Sequence, residues 1–172
     1  MVEEPIAYRA ILAVFPFRED RTSLETILGD ANWDLRFTAT FEEARSALRA
    51  FSFGAVISEG HLPDGQCWKD LLREIQDIAG SPPLIVVERF ADEWLWAEVL
   101  NLGGYDVLMK PFDAKEVLHA VTMACHFCDG YLRQHIPLRI TAGQRMSALP
   151  KPAKTRVERL PESAVQTTSA RD

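Results

Sequence analysis

The amino-acid sequence predicts an α/β protein built on a doubly wound sheet of five parallel strands. Short unbroken apolar runs, such as Ala10–Val14 and residues 84–87, are typical of strands that are buried on both faces of a parallel sheet. Segments with apolar residues at helical spacing separate these runs. Because strand and helix patterns alternate strictly, we expect right-handed βαβ units with helices on both faces of the sheet.

The elements follow in order along one compact stretch of the chain. The predicted strands cover residues 10–14, 34–39, 55–58, 84–87 and 106–109. Polar residues at capping positions open the helices that follow four of these strands, namely Thr22 with Glu25, Thr40 with Glu43, Asp92, and Asp113 with Glu116. A helix beginning near Trp68 follows the third strand, and Gly103 provides the turn that ends the fourth helix.

Charge is distributed unevenly along the chain. Residues 1–132 hold 11 Lys and Arg against 22 Asp and Glu, whereas residues 133–172 hold 8 against 3. The acidic body argues against a nucleic-acid-binding surface on the domain, and the basic, proline-punctuated tail is interpreted as a solvated segment.

These shifts in composition divide the chain into three parts. We expect an N-terminal extension over residues 1–7, one domain over residues 8–130, and a tail over residues 131–172. The later part of the tail is expected to be disordered. Two interpretations stay open for residues 131–140: their apolar side chains dock on the domain, or they move with the rest of the tail.

The sequence also indicates the compartment. No run approaches the ~18 consecutive apolar residues of a membrane span, and the N-terminus is acidic where a signal peptide is basic. The 3 cysteines do not make a disulfide framework. We therefore expect a cytoplasmic protein without membrane contacts.

Two loops that follow predicted strands carry a recognisable motif. Residues 59–65 are Glu-Gly-His-Leu-Pro-Asp-Gly, and residues 109–112 are Met-Lys-Pro-Phe. These loops resemble those after the third and fifth strands of response-regulator receiver domains, and the resemblance covers about 120 residues, the size of one domain. It implies a CheY-like, flavodoxin-like fold with strand order 2-1-3-4-5 and a role in two-component (phosphorelay) signalling.

The resemblance also assigns roles to strand-end positions. Receivers use two acidic residues that bind magnesium, an aspartate that accepts the phosphoryl group, a Thr or Ser, and a lysine. Here the lysine is Lys110, the acceptor position holds Glu59, and the hydroxyl position holds Glu88. Phe15 and Pro16 stand in place of the acidic pair. The resemblance therefore implies a pseudo-receiver with a degenerate phosphoacceptor site.

These substitutions remove the requirements of phosphoryl transfer. Magnesium needs one or two carboxylates in octahedral geometry; Phe15 and Pro16 supply none, although Glu19 and Asp20 lie nearby in the sequence. The additional methylene of Glu59 moves its carboxylate by ~1.5 Å, and a misplacement of about 1 Å can cost about a hundredfold in rate. We expect no catalytic activity, no metal and no cofactor.

Several alternatives stay open around Lys110. Glu59 could approach the lysine and hold an arrangement like that of an activated receiver, or it could form an ion pair without regulatory meaning. Glu88 would either share the ammonium group or turn outward with Arg89. Val107, a candidate for partner binding, occupies the position where many receivers have the Tyr or Phe that reports activation, so that relay is expected to be absent.

Two expectations concern residues on either side of this lysine. In the receiver family the peptide bond before the residue matched by Pro111 is cis, and we expect the same here. Tyr105 would point to the same sheet face as Val107 if the fifth strand already included it, but the position of Gly104 places Tyr105 in the preceding turn.

Trp94 and Trp96 are unusual residues for the outside of the fourth helix. Leu95, Val99 and Leu102 form its predicted inward stripe, and the two indoles fall about 100° to either side of it, so we expect neither to be buried. Exposed tryptophan favours a partner-binding face on the fourth helix, fifth strand and fifth helix, which could serve a homodimer. Packing beneath a docked tail is the alternative.

Cys125 and Cys128 form a Cys-x-x-Cys pair at the C-terminal end of the last helix. Redox-active pairs lie at a helix N-terminus, where the helix dipole lowers the thiol pKa, and zinc would need two further ligands. We interpret the pair as core packing without a redox role.

These observations favour a phosphorylation-independent, receiver-like signalling module that acts through protein–protein contacts and takes no small-molecule substrate. The alternative is a phosphate-accepting response regulator with a rearranged metal and acceptor site that uses Glu19 or Asp20. A flavodoxin-fold enzyme or nucleotide binder is disfavoured because no glycine-rich phosphate loop follows the first strand.

Overall fold

A computed structural model describes residues 10–135, with side chains up to residue 131. Strands and helices alternate throughout this range. The strands are β1 (Ala10–Val14), β2 (Asp34–Thr38), β3 (Ala55–Glu59), β4 (Leu84–Glu88) and β5 (Asp106–Met109). The helices are α1 (Arg18–Gly29), α2 (Phe41–Ala50), α3 (Trp68–Gln76), α4 (Glu93–Leu102) and α5 (Ala114–His135).

All five strands are parallel, in the order β2-β1-β3-β4-β5. This confirms the predicted doubly wound, CheY-like fold. One face of the sheet packs on α1 and α5 through residues such as Leu24 and Val121, and the other packs on α2, α3 and α4 through residues such as Leu48, Leu71 and Val99. The central strands are buried on both sides, which explains their unbroken apolar sequences.

Capping residues define the starts of three helices as predicted. Oγ1 of Thr40 accepts a hydrogen bond from the backbone N–H of Glu43 at 3.3 Å, and Oδ1 of Asp92 accepts one from Leu95 at 2.8 Å. Asp113 accepts hydrogen bonds from the backbone at the start of α5. At the other end of α4, Gly103 has φ of 98°, a left-handed conformation that glycine adopts without steric cost.

The predicted start of α1 is wrong. The helix begins at Arg18, one turn before the expected cap, and follows the extended residue Phe17. Thr22 lies inside the helix, where its hydroxyl donates to the carbonyl of Arg18 at 3.1 Å. Glu19 and Asp20 occupy the first turn instead, where acidic side chains interact favourably with the helix dipole.

Helix α5 continues to His135, five residues beyond the predicted domain boundary at residue 130. The first proline after this helix is Pro137, and residues that precede proline disfavour helical conformation, so the longer helix agrees with the sequence. Residues 1–9 and 136–172 lie outside the described residues. The predicted N-terminal extension, most of the predicted tail and the predicted docking of the tail therefore fall outside them. Within residues 10–135, the structure has no helix of sufficient length and apolarity to cross a membrane.

Candidate functional site

The carboxyl ends of the central strands meet at one edge of the sheet. Glu59 is the last residue of β3 and Glu88 the last of β4, and Lys110 follows β5 directly. In the parallel register Glu59 pairs with Val87 and Glu88 with Met109, so Glu88 lies one residue further along the sheet than Glu59, and Lys110 one residue further than Glu88. Chemistry in doubly wound folds is located at this edge.

Lys110 is the centre of the site. Its ammonium Nζ donates a hydrogen bond to Oε1 of Glu59 and another, at 2.9 Å, to Oδ2 of Asp20. The side chains of Lys110 and Glu59 are each only 11% exposed, and that of Asp20 is 21% exposed. Two carboxylates from different elements therefore share one largely buried ammonium group.

The electrostatics of the three groups follow from this burial. Burial raises the pKa of Glu59, the ammonium of Lys110 opposes that rise, and the carboxylates of Asp20 and Glu88 add to it. For Lys110, burial alone would lower the pKa, but hydrogen bonds and charge attraction from Glu59 and Asp20 raise it overall. The ammonium group therefore stays charged at neutral pH.

Asp20 is the residue whose importance the sequence pattern does not reveal. The pattern indicates only that Asp20 lies near the end of β1. In the alternative with a rearranged metal site, its carboxylate would be a metal ligand. The available signal was the acidic pair Glu19-Asp20, which follows Arg18 and is typical of the first turn of a helix. With α1 starting at Arg18, Asp20 lies close enough to reach Lys110.

The positions of the family's acidic pair are apolar. The side chain of Phe15 is fully buried and makes an edge-to-face contact with Phe112, with ring centroids 6.2 Å apart. The carbonyl oxygen of Phe15 accepts a hydrogen bond from Nε of Arg21 at 2.6 Å. Pro16, the next residue, also has no carboxylate.

A magnesium ion does not fit this arrangement. Magnesium needs carboxylate oxygens that are available in octahedral geometry, but Oε1 of Glu59 and Oδ2 of Asp20 already accept hydrogen bonds from the ammonium of Lys110. Among residues 10–131, no group of three or more His, Cys, Asp or Glu side chains is arranged to hold a metal ion.

Glu88 takes the second of its two predicted arrangements and turns away from Lys110. Its Oε1 accepts a hydrogen bond from the backbone N–H of Arg89 at 2.9 Å, and its Oε2 lies 3.8 Å from Nδ1 of His61. The carboxylate at the hydroxyl position is therefore directed towards the surface loop after β3.

Two expectations for the residues on either side of Lys110 are confirmed: the cis bond before Pro111 and the position of Tyr105 before β5. The Lys110–Pro111 peptide bond is cis. Val107 is partly buried and packs against the core beneath α4, whereas Tyr105 lies in the turn before β5 and packs against the core on the other face of the sheet. The ring of Tyr105 also contacts that of Phe127 on α5, with centroids 5.8 Å apart.

The two tryptophans of α4 are exposed, as predicted. Trp94 is 85% exposed and Trp96 is 50% exposed. The indole N–H of Trp96 donates to Oδ1 of Asp106 at 3.3 Å, which links α4 to the start of β5. The predicted inward stripe is wrong at Leu102, which is 47% exposed: the helix ends there, and Val99 alone among the α4 residues is fully buried.

Cys125 and Cys128 are both buried in the core, as the core-packing interpretation predicts. Burial raises the pKa of Cys125 to about 12 and that of Cys128 to about 11, so both remain protonated thiols at neutral pH.

No model of a known protein family matches the chain. Among curated proteins, the Probable transcriptional regulatory protein y4xI of Sinorhizobium fredii (strain NBRC 101917 / NGR234) is 32% identical over 91 residues, which are 53% of this chain and 40% of that protein. The chain spans less than half the length of the curated relatives that it matches.

Solved structures give a broader match. The signal receiver domain of an HD domain-containing protein from Pseudomonas fluorescens Pf-5 is 26% identical, with a TM-score of 0.68 over 77% of this chain and 98% of that one. The beryllofluoride-activated NtrC4 receiver domain dimer, 20% identical, has the same fold, with a TM-score of 0.65 over 70% of this chain and 98% of that one.

The parallel βα topology and the strand order match the CheY-like fold of these receiver domains. The chain is therefore similar to response-regulator receiver domains in fold, and to transcriptional regulatory proteins over about half of its length.

Proposed function

We propose that this receiver-like domain is a signalling module that works without aspartyl phosphorylation and acts through protein–protein contacts. The observation that carries this proposal is the ammonium group of Lys110, which is held between the carboxylates of Glu59 and Asp20. A receiver that accepts phosphate needs the first carboxylate as a nucleophile and the lysine as a partner for the incoming phosphoryl group. In this site the carboxylate of Glu59 and the ammonium of Lys110 are instead hydrogen-bonded to each other.

The acceptor position supports the same conclusion. The side chain of Glu59 is only 11% exposed and its carboxylate accepts a hydrogen bond from Lys110, so it is a less available nucleophile than an exposed, unpaired carboxylate. Its longer side chain also moves the reacting oxygen away from the geometry that an aspartate provides. With no metal ligand from Phe15 or Pro16, developing negative charge on a phosphoryl group would lack its usual neutralisation.

The protein-contact function rests on the exposed face of α4 and β5. Trp94 and Trp96 present large apolar surfaces to solvent on a helix whose neighbouring positions include Glu93 and Glu98. Aromatic residues of this kind carry much of the binding energy of protein interfaces. We place the partner, a second copy of the chain or another signalling protein, on the face formed by α4, β5 and α5.

The direct test is incubation of the full chain with acetyl phosphate and MgCl2, followed by intact-mass measurement. We expect no phosphoryl adduct in the wild type. The Glu59→Asp variant provides a matched comparison, because it restores the shorter acceptor while leaving Phe15 in place, and we expect it to remain unmodified too. An acid-stable, base-labile adduct on the wild type would contradict the proposal.

A second candidate function, a phosphate-accepting regulator with a rearranged metal site, is favoured by one observation: Asp20 does reach the strand-end site. In that case the adduct would form only with magnesium and would disappear in Asp20→Asn. Because Oδ2 of Asp20 is bound to Lys110, we favour the phosphorylation-independent function.

A further inference from the structure

We propose that Lys110 is the resident cation of this site and that its tethered ammonium group keeps divalent metal ions out of a carboxylate pair that would otherwise bind them. The inference rests on the proposed function, since it says how the site is held in one state without magnesium. It adds a property that the proposed function does not require, namely a latent divalent-cation site.

The first argument is the convergence of the two carboxylates. Asp20 comes from the first turn of α1 and Glu59 from the end of β3, and both carboxylates accept a hydrogen bond from the same nitrogen atom. Two carboxylates are the number that magnesium commonly takes from a protein, with water filling its other positions. The pair is therefore suitable for a divalent ion in composition, and the ammonium occupies the space between its members.

The second argument is the charge balance. Two carboxylates face one ammonium, so the group has an excess of one negative charge. The carboxylate of Glu88 lies close enough to raise the pKa of Glu59 further. Arg21, the nearby cation on α1, instead donates to the carbonyl of Phe15 and lies with its guanidinium 5.8 Å from the ring of Phe37. Removal of the ammonium would leave two largely buried carboxylates without compensation, which is very unfavourable.

The third argument is competition within the site. The ammonium is covalently attached beside the carboxylates, so its local concentration is far above that of any free ion. A divalent ion would also lose part of its hydration shell, which magnesium does reluctantly. The ring of Phe15, whose centroid is 5.9 Å from Nζ of Lys110, lies on one side of the ammonium group. An aromatic ring supplies no oxygen ligand for a divalent ion.

Replacement of Lys110 by a neutral side chain tests this directly. We expect the full chain carrying Lys110→Met to bind Mn²⁺ at least about tenfold more tightly than the wild type, a difference of about 1.4 kcal/mol. Binding is followed by electron paramagnetic resonance of free Mn²⁺ at constant ionic strength. The gain should disappear in Lys110→Met with Asp20→Asn, because half of the carboxylate pair is then gone.

Lys115→Met is the matched control. Lys115 is exposed on the first turn of α5, so this variant loses the same positive charge without disturbing the carboxylate pair. Its Mn²⁺ affinity should equal that of the wild type. Equal affinity of Lys110→Met and Lys115→Met would overturn the inference, because a general change in charge would then explain the data.

The wild type provides a test that does not depend on the folding of Lys110→Met. Mn²⁺ binding by the wild type that is lost in Asp20→Asn would overturn the inference, since the ammonium would then fail to exclude the ion. Such binding without a phosphoryl adduct would leave the proposed function standing. An adduct on the wild type would overturn the proposed function whatever the metal affinity.

Discussion

Nζ of Lys110 lies 2.9 Å from Oδ2 of Asp20, although 90 positions separate the two residues in the sequence. The contact joins the end of β5 to the first turn of α1, and Glu59 at the end of β3 completes it. Three elements are thus held together by one ammonium group at the edge of the sheet where receivers carry out their chemistry.

Removal of this ammonium group should destabilise the domain considerably. Lys110→Met leaves the carboxylates of Glu59 and Asp20 largely buried and unpaired, so we expect a loss of about 3 kcal/mol in the free energy of unfolding, measured by urea denaturation. Lys69→Met is the control: it breaks a more exposed ion pair with Glu98 and should cost less than about 1 kcal/mol. Similar losses in both variants would show that burial of Lys110, Glu59 and Asp20 contributes little to the stability of the domain.

The titration of Glu59 should give stability a distinct pH dependence. Burial raises the pKa of this carboxyl above 4.5, so the folded protein binds its proton more tightly than the unfolded protein does. The ionised carboxylate therefore costs stability above the folded-state pKa. That cost decreases as the pH falls through the folded-state pKa and disappears below the unfolded value.

Glu59→Gln removes this titration and keeps a carbonyl oxygen that can accept a hydrogen bond from Lys110. We expect the difference in unfolding free energy, variant minus wild type, to increase between about pH 4 and pH 7. Urea denaturation across that range measures it. A constant or decreasing difference would mean that the attraction of Lys110 outweighs burial and that the pKa of Glu59 is not raised.

Trp94 should matter for association and not for folding. Because its side chain is 85% exposed, Trp94→Ser should change the free energy of unfolding by less than about 0.5 kcal/mol. We expect the same variant to weaken self-association at least about tenfold, as measured by sedimentation equilibrium. Phe51→Ser, an exposed aromatic at the end of α2, should leave association unchanged. Equal effects of the two substitutions would argue against a specific face on α4.

The cysteines should react in a fixed pattern. Burial raises the pKa of Cys125 to about 12 and that of Cys128 to about 11, whereas Cys67 is partly exposed at the start of α3. Brief treatment of the native protein with iodoacetamide should therefore modify Cys67 alone. Intact-mass and peptide analysis should show modification of the other two only after unfolding. Rapid native labelling of Cys128 would mean that the C-terminal half of α5 opens readily.

Much of the fold could be predicted because its signals are local. Apolar runs such as those of β1 and β4 are buried on both faces, and caps such as Thr40 and Asp92 satisfy backbone groups within one helical turn. The prediction of α1 failed for a related reason. Its start at Arg18 has no side-chain cap, and the capping pattern at Thr22 lies inside the helix.

The sequence by itself determined which groups stand at the strand ends: Glu59, Glu88, Lys110, and the apolar Phe15 and Pro16. It could not determine how the charged groups pair, because pairing depends on distances between residues that are far apart in the chain. Only the tertiary structure decided that Glu88 turns towards the surface and that Asp20 reaches Lys110. The position of α1 against the sheet, set by core packing, brings that carboxylate within hydrogen-bonding distance of the ammonium.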